Sequence, residues 1–254
     1  MPAFSANLSM LFGEHAFMDR FAAARDAGFE AVEFLFPYEH SVSDLEKSVR
    51  ANDVSISVFN LPPGDWQAGD RGLAALPDRR DAFRASIDVA LPYAEAVGAQ
   101  RLHVMAGNVS QTDQSRATYI DNIRHAAERF HDAGLTLLIE PLNPFDAPGY
   151  FLSSTDQALD LIARIDRPNV RLQFDIYHHQ IIHGDVMRQL ASAMPMVGHI
   201  QIAGVPDRHE PDVGELNYPE IFRHIDDLAY DGWIGCEYRP RNNTLEGLGW
   251  LKNL

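Results

Sequence analysis

The chain has a single cysteine, Cys236, no run of 18 apolar residues, and little positive charge. Its 21 Lys and Arg stand against 36 Asp and Glu, a formal net charge of −15. Each shortage excludes something. One thiol cannot build an internal disulfide framework and fits a reducing cytosol. Without a long apolar run no membrane span is expected. The opening "MPAFSANLSM" has no basic flank leading into an apolar core, so it does not read as a secretion signal, and a cytoplasmic protein is expected. An acidic surface disfavours a nucleic-acid partner, because phosphate binding needs clustered Lys and Arg. It leaves room for a small anionic substrate, which needs only one or two local cations. No G-x-G-x-x-G follows the first apolar run, "FSANLSM", which speaks against a dinucleotide-binding open sheet.

What is present is repetition. Eight short apolar runs recur: Phe4–Met10, Glu30–Pro37, Val54–Pro62, Arg101–Gly107, Leu135–Pro141, Asn169–Asp175, Val197–Gly204 and Gly232–Tyr238. Most read as apolar on both faces, the pattern of parallel strands covered by helices. Between them lie helical patterns. One places Phe17, Phe21 and Ala24 on one face and stops at Gly28; another spaces Ile120, Ile123, Ala127 and Phe130 and stops at Gly134. Ser43 and Glu46 have the spacing of a capping box. Pro92 should kink or break the longest helix, about 78–97. "TDQALDLIARI", "VMRQLASAM" and "YPEIFRHIDDLAYDG" supply three more helices.

Strand and helix alternating eight times in 254 residues, 46% of them hydrophobic, predict one (β/α)8 TIM barrel spanning 1–254. The longest irregular stretch, "NLPPGDWQAGDRGLAALPDRR", should be an ordered lid, given Trp66 and its apolar neighbours.

Barrel active sites lie at the carboxyl ends of the strands. There the last four runs end in Glu140, Asp175, Gln201 and Glu237, separated by 35, 26 and 36 residues, one β/α unit each. A lone acid at a strand end is usually a cap or a solvated charge. Four oxygen donors in succession are not explained that way. Three carboxylates around one cavity repel, and burial raises the cost, so protons or a cation must compensate. An all-oxygen set suits a hard divalent ion, Mg²⁺ or Mn²⁺. Nearby, "DIYHH" sets His178 three residues after Asp175. His178, His103, Asn60, Arg208, and Trp66 and Arg71 from the long loop are candidates to line the cavity. His179 and His183 read as ordinary loop polar residues, and His199 as a hydrogen-bonded core histidine. His209 and Glu210 accompany Arg208 after the seventh run. Lysine is absent from these loops, so a substrate carboxylate would fall to Arg71 or Arg208, whose guanidinium fork matches it bidentately.

At these residues the chain resembles hydroxypyruvate isomerases, within the xylose-isomerase-like barrels. The resemblance covers nearly the whole length, through "FSANLSMLF", "AGFEAVEFLFPY", "PPGDWQAGDRGLAALP", "RLHVMAG", "GHIQIAGVPDRHEPDVGELNYP", "AYDGWIGCEYRPR" and "EGLGWL". It implies a metal at Glu140, Asp175, Gln201 and Glu237, proton exchange between substrate and the pair Glu140 and Glu237, and a small hydroxy-oxo acid as substrate. The 2-oxo-tetronate isomerases share most of these strings, though "EPLNPFDAPGYFLSS" is more similar to hydroxypyruvate isomerases. Related ketose 3-epimerases resemble "EPLNPFD", with an acidic residue where Asp146 stands, and the Asp175-x-x-His178 pattern, but usually carry His where this chain has Gln201. Rival readings stay open: a ketose epimerase, a dehydratase on the same metal site, a non-catalytic sugar binder, and a phosphodiesterase, which the acidic charge opposes. A homo-oligomer is compatible with all of them.

Overall fold

The computed structural model describes residues 2–253, so Met1 and Leu254, the ends of the expected domain, lie outside it. Eight parallel strands close into a barrel in sequence order: β1 Ala3–Asn7, β2 Ala31–Phe34, β3 Ser55–Asn60, β4 Arg101–His103, β5 Thr136–Ile139, β6 Val170–Asp175, β7 Val197–Ile202 and β8 Trp233–Cys236. The outer layer is α1 Arg20–Asp26, α2 Val42–Asn52, α3 Arg80–Val97, α4 Asp113–Asp132, α5 Thr155–Ile165, α6 Ile176–Ile182, α7 Val186–Ala193 and α8 Tyr218–Asp227. A short α9, Thr244–Gly247, and a final 3-10 turn follow. None of the helices is long and apolar enough to cross a membrane among the described residues.

Helix faces follow the apolar spacing. Phe21 and Ala24 of α1, and Ile123, Ala127 and Phe130 of α4, are buried, and Gly28 and Gly134 adopt positive φ just beyond the helix ends. Three local expectations are corrected. The α2 N-cap is Ser41, whose hydroxyl accepts from the Asp44 amide, so the helix begins before Ser43. Of the kink or break expected at Pro92, the break does not occur: α3 runs through it, and it and Asp88 one turn earlier are exposed, so the carbonyl that loses its partner can face water. "IYHHQII" is helix α6, not loop.

The strands are buried on both faces but not apolar on both. Outward residues such as Leu172, Phe174, Ile200, Ile202 and Ile234 join the core beneath the helices. The inward set includes Asn7, Glu33, Ser57, Gln173, Asp175, His199 and Gln201, all buried and polar. Parallel register sets Asn7 beside Glu33, and pairs Gln173 with His199 and Asp175 with Gln201. The upper barrel interior is therefore a hydrogen-bonded polar stack. Such a stack is stable only when nearly every member finds a partner.

The long loop is ordered. Gly72 forms an antiparallel bridge with Ala106, and Asp70 Oδ2 accepts from the Asp65 amide at 2.8 Å and from Arg79 Nη2 at 3.3 Å. Gly72 sits at φ +101°, and a Cβ there would strike the Met105 backbone, so only glycine permits this approach. Leu73, Ala74 and Ala75 bury, leaving Trp66 and Arg71 toward the barrel mouth.

Candidate active site

A cavity of about 310 Å³ opens at the carboxyl ends of the strands. Asn60, Trp66, Arg71, His103, Glu140, Asp146, His178, Arg208 and Glu237 all line it. Asp175 and Gln201 are buried beneath and are not part of that lining. Glu140 and Glu237 stand one residue beyond β5 and β8, and Gln201 is the penultimate residue of β7.

Asp175 closes β6 and caps α6 at once. Its Oδ1 accepts from the Tyr177 amide at 2.8 Å, and one turn of helix then returns His178, whose Nε2 lies 3.7 Å from Asp175 Oδ2. Glu140, Asp175 and His178 offer ligand atoms within 4.8 Å of one another, a spacing that one metal ion can bridge. Glu140 Oε1 and Asp175 Oδ2 are buried without a hydrogen-bond partner. Buried carboxylate oxygens left open in this way fit a cation. The histidine is a different matter. His178 Nδ1 accepts from the Asn143 backbone amide at 3.1 Å and lies 2.8 Å from Asn143 Nδ2. A nitrogen that accepts is unprotonated, so the neutral ring carries its proton on Nε2 and presents a donor, not a lone pair, to the cavity. Burial, together with the charge of Arg208 and His103, holds the His178 pKa well below the ordinary histidine value, which keeps the ring neutral.

The electrostatics centre on three buried acids. Glu140 is raised well above the ordinary carboxylate range, first by burial and then by the charges of Glu237 and Asp175. Burial lifts Glu237 to about 8, against the opposing pull of Arg208. Burial likewise lifts Asp175 to about 6, with Arg208 and the Tyr177 and His178 amides opposing. Arg208 is the counter-charge: its Nη2 lies 2.9 Å from Glu237 Oε1 and 3.6 Å from Asp175 Oδ2, and its Nη1 is 3.6 Å from Asp146 Oδ2. Its backbone is left-handed, φ +57°, a costly conformation for a residue with a side chain. The turn is held by Arg208 N donating to Gly204 O and Arg239 N donating to Arg208 O, each at 2.8 Å. His103 Nδ1 lies 3.2 Å from Asn60 Oδ1 and 3.6 Å from Glu140 Oε2, and burial lowers its pKa to about 3.

Other candidates fall elsewhere. His179 stacks on Phe174 with Nδ1 2.9 Å from Thr155 Oγ1, and His183 meets the His179 ring at a tilt; neither lines the cavity. His209 meets the Arg239 carbonyl, and Glu210 accepts from Arg241. His199 is a core histidine, with Nε2 2.8 Å from Glu33 Oε2. Four residues escaped the sequence reading. Asn143 orients His178, and Arg239 lines the cavity. Gln173 donates to both Glu140 Oε2 and Gln201 Oε1, and Glu33 anchors the stack. Glu33 and Gln173 were visible as polar residues inside apolar runs; Asn143 and Arg239 gave no signal.

The family model described as a xylose isomerase-like TIM barrel matches residues 21–254. The chain belongs to this family. Among curated relatives it is 55% identical over 255 residues to the 2-oxo-tetronate isomerase of Cupriavidus necator, covering 99% of this chain and 98% of that one. It is 42% identical over 254 residues to the hydroxypyruvate isomerase of Escherichia coli, covering 99% and 98%. A solved structure, the AP endonuclease, family 2, from Brucella melitensis, superposes with a TM-score of 0.98 at 45% identity, covering 100% of this chain and 99% of that one. In this xylose isomerase-like barrel the acids, the neutral histidine and the arginines thus meet at the end of the barrel where loops rather than packed strands set the chemistry.

Proposed function

We propose that this protein is an isomerase interconverting hydroxypyruvate and tartronate semialdehyde (2-hydroxy-3-oxopropanoate). One observation carries the reading: two buried glutamates, Glu140 and Glu237, line one small cavity together with arginines. Isomerisation removes a proton from C3, returns one to C2, and moves the hydroxyl proton from O3 to O2. Glu140 and Glu237 are the pair that exchange the carbon-bound protons, one as base and the other as acid. His178, locked by Asn143 as an Nε2–H donor, hydrogen-bonds a substrate oxygen and stabilises negative charge that develops there. A divalent ion, Mg²⁺ or Mn²⁺, held by Glu140, Asp175, Gln201 and Glu237, would supply positive charge to the carbonyl and hydroxyl oxygens.

The substrate's carboxylate needs its own cation. Arg208 is committed to Glu237, Asp175 and Asp146, so it serves the acid cluster rather than the substrate's far end. Arg71 and Arg239 line the same cavity, and among the described residues no carboxylate lies within 4.0 Å of either. Arg71 is braced over the Trp66 ring, 3.7 Å from its centroid, which fixes the guanidinium at little further entropic cost. Arg71→Ala and Arg239→Ala should each raise KM for hydroxypyruvate and leave metal affinity unchanged, a loss of about 1.5–3 kcal/mol for one charge-assisted contact. Unaltered KM in both variants would remove the acid-recognition reading.

A second reading is favoured by the relatives: those 55% and 48% identical are named 2-oxo-tetronate isomerase. A four-carbon acid undergoes the same proton exchange between C3 and C2 and adds one hydroxymethyl group. The deciding experiment is a product assay on hydroxypyruvate, 2-oxo-tetronate and neutral ketoses with Mg²⁺ or Mn²⁺. The higher kcat/KM should fall on hydroxypyruvate. Preference for the four-carbon acid promotes the second reading, and preference for neutral ketoses rejects both.

A further inference from the structure

Beneath the cavity lies a carboxylate for which the proposed reaction has no use. Glu33, on β2, is fully buried. Its Oε1 accepts from Asn7 Nδ2 at 3.0 Å and from Gln201 Nε2 at 2.7 Å. Its Oε2 accepts from Ser57 Oγ at 3.1 Å and lies 2.8 Å from His199 Nε2. Partners from β1, β3 and β7 thus occupy the four acceptor positions that a carboxylate offers. The eighth strand contributes space: a Cβ built at Gly235 would fall against both Glu33 oxygens.

This geometry has a direction. A carboxylate only accepts, so the end of the Gln201 amide that faces Glu33 must be the NH₂. Its Oε1 is therefore held away from Glu33, where it accepts from Gln173 Nε2 at 2.7 Å, and the same Nε2 reaches Glu140 Oε2 at 2.9 Å. A glutamine at a ligand position carries a risk that a carboxylate does not. Half a turn about its last bond replaces the donor oxygen with an NH₂ of nearly the same shape. Glu33 opposes that turn at the nitrogen end of the amide, and Gln173 Nε2 opposes it at the oxygen end.

We infer that Glu33 is a positioning residue of the cation site, holding Gln201 with its oxygen presented and, through Gln173, setting the orientation of Glu140. This rests on the reading of Gln201 and Glu140 as metal ligands. Outer partners of this kind typically govern metal affinity by about 10–100-fold.

The test measures Mn²⁺ binding by calorimetry on the purified, metal-stripped full chain. Glu33→Gln keeps the volume but lets residue 33 face Gln201 with either an acceptor or a donor. It should raise the Mn²⁺ Kd by roughly 10–100-fold. Gly235→Ala, which displaces Glu33 without altering its charge, should act in the same direction if Glu33→Gln fails to fold. The sharper arm is the exchange: Glu33→Gln combined with Gln201→Glu puts an oxygen at both ends of residue 201 and should recover affinity lost in Glu33→Gln alone. Gln201→Glu alone measures the gain from the added charge, and under a plug that merely fills the barrel the double variant would stay below Gln201→Glu by the full loss seen in Glu33→Gln. Gln201→Ala separates the two readings. If it weakens Mn²⁺ binding while Glu33→Gln and Gly235→Ala do not, the positioning role is overturned and the ligand reading stands. If it leaves binding unchanged, the ligand reading fails and this inference with it. A double variant that binds Mn²⁺ no better than Glu33→Gln overturns the orientation argument.

Discussion

Glu140→Gln and Glu237→Gln should each fold and each lose roughly 10²-fold or more in kcat/KM. Both substitutions keep volume and hydrogen-bonding shape at sites that are 4% and 6% exposed, so gross repacking is not expected. What disappears is a group able to take a proton and return it. Glu140→Gln relieves repulsion among buried like charges and should not melt below the metal-free parent, whereas Glu237→Gln also takes from Arg208 its partner at 2.9 Å and should melt lower. Glutamine still offers an oxygen but no charge, so part of the loss can come through weaker cation binding. Metal content measured beside the rate separates the two contributions. In heavy water the parent should place solvent deuterium on the carbon next to the carbonyl. A near-normal rate in either variant would show that its carboxylate is not an essential acid or base.

Stripping the protein with a chelator should abolish turnover, and Mg²⁺, Mn²⁺ or Co²⁺ should restore it. The physical reason is the density of negative charge: Glu140, Asp175 and Glu237 are buried around one small volume, with Arg208 as the cation among them. Their raised pKa values, about 6 for Asp175, about 8 for Glu237 and higher than usual for Glu140, mean that protons stand in for missing positive charge. An ion must displace those protons, so its affinity should rise as pH increases from 6 to 8, with proton release visible by calorimetry in buffers of different ionisation heat. The same shifts fix the sign for stability. Between the unfolded and folded pKa values the native metal-free chain binds more protons than the unfolded chain, so its stability falls as pH rises. The melting temperature of stripped protein should therefore drop between pH 6 and 8, and bound metal should offset the drop. Asp175→Asn should weaken binding by removing a charge while keeping the shape. Full activity in protein shown by elemental analysis to be metal-free would sink the assignment.

The barrel was legible because its signals are local and repeated. Each β/α unit announces itself within about 30 residues, through an apolar run, a helical stripe and a terminating glycine such as Gly28 or Gly134. Glu140, Asp175, Gln201 and Glu237 stood out for the same reason, being polar groups at the ends of apolar runs. Features with competing local rules were harder. The Ser43–Glu46 spacing points to a cap at Ser43, and the backbone turn sets it at Ser41 instead. Alternation on β7 puts His199 on the face of Gln201, which is why it reads as a core histidine; the same two-residue spacing on β6 sets Gln173 on the face of Asp175.

The sequence by itself determined the barrel, the acidic cluster and the chemistry such a cluster demands, because each follows from residue type and from spacing along one chain. Tertiary structure alone decided which partner each charge takes. Arg208 reads in sequence as a free cation, yet a left-handed turn delivers it into three carboxylates and leaves Arg71 and Arg239 to face the cavity. His178 reads as a ligand or a donor alike until Asn143, 35 residues away, claims its Nδ1. Glu33 and Gln201 are 168 residues apart, and closure of the barrel brings them to 2.7 Å. Pairings across such distances depend on register and rotamer, and a single sequence carries no local trace of either.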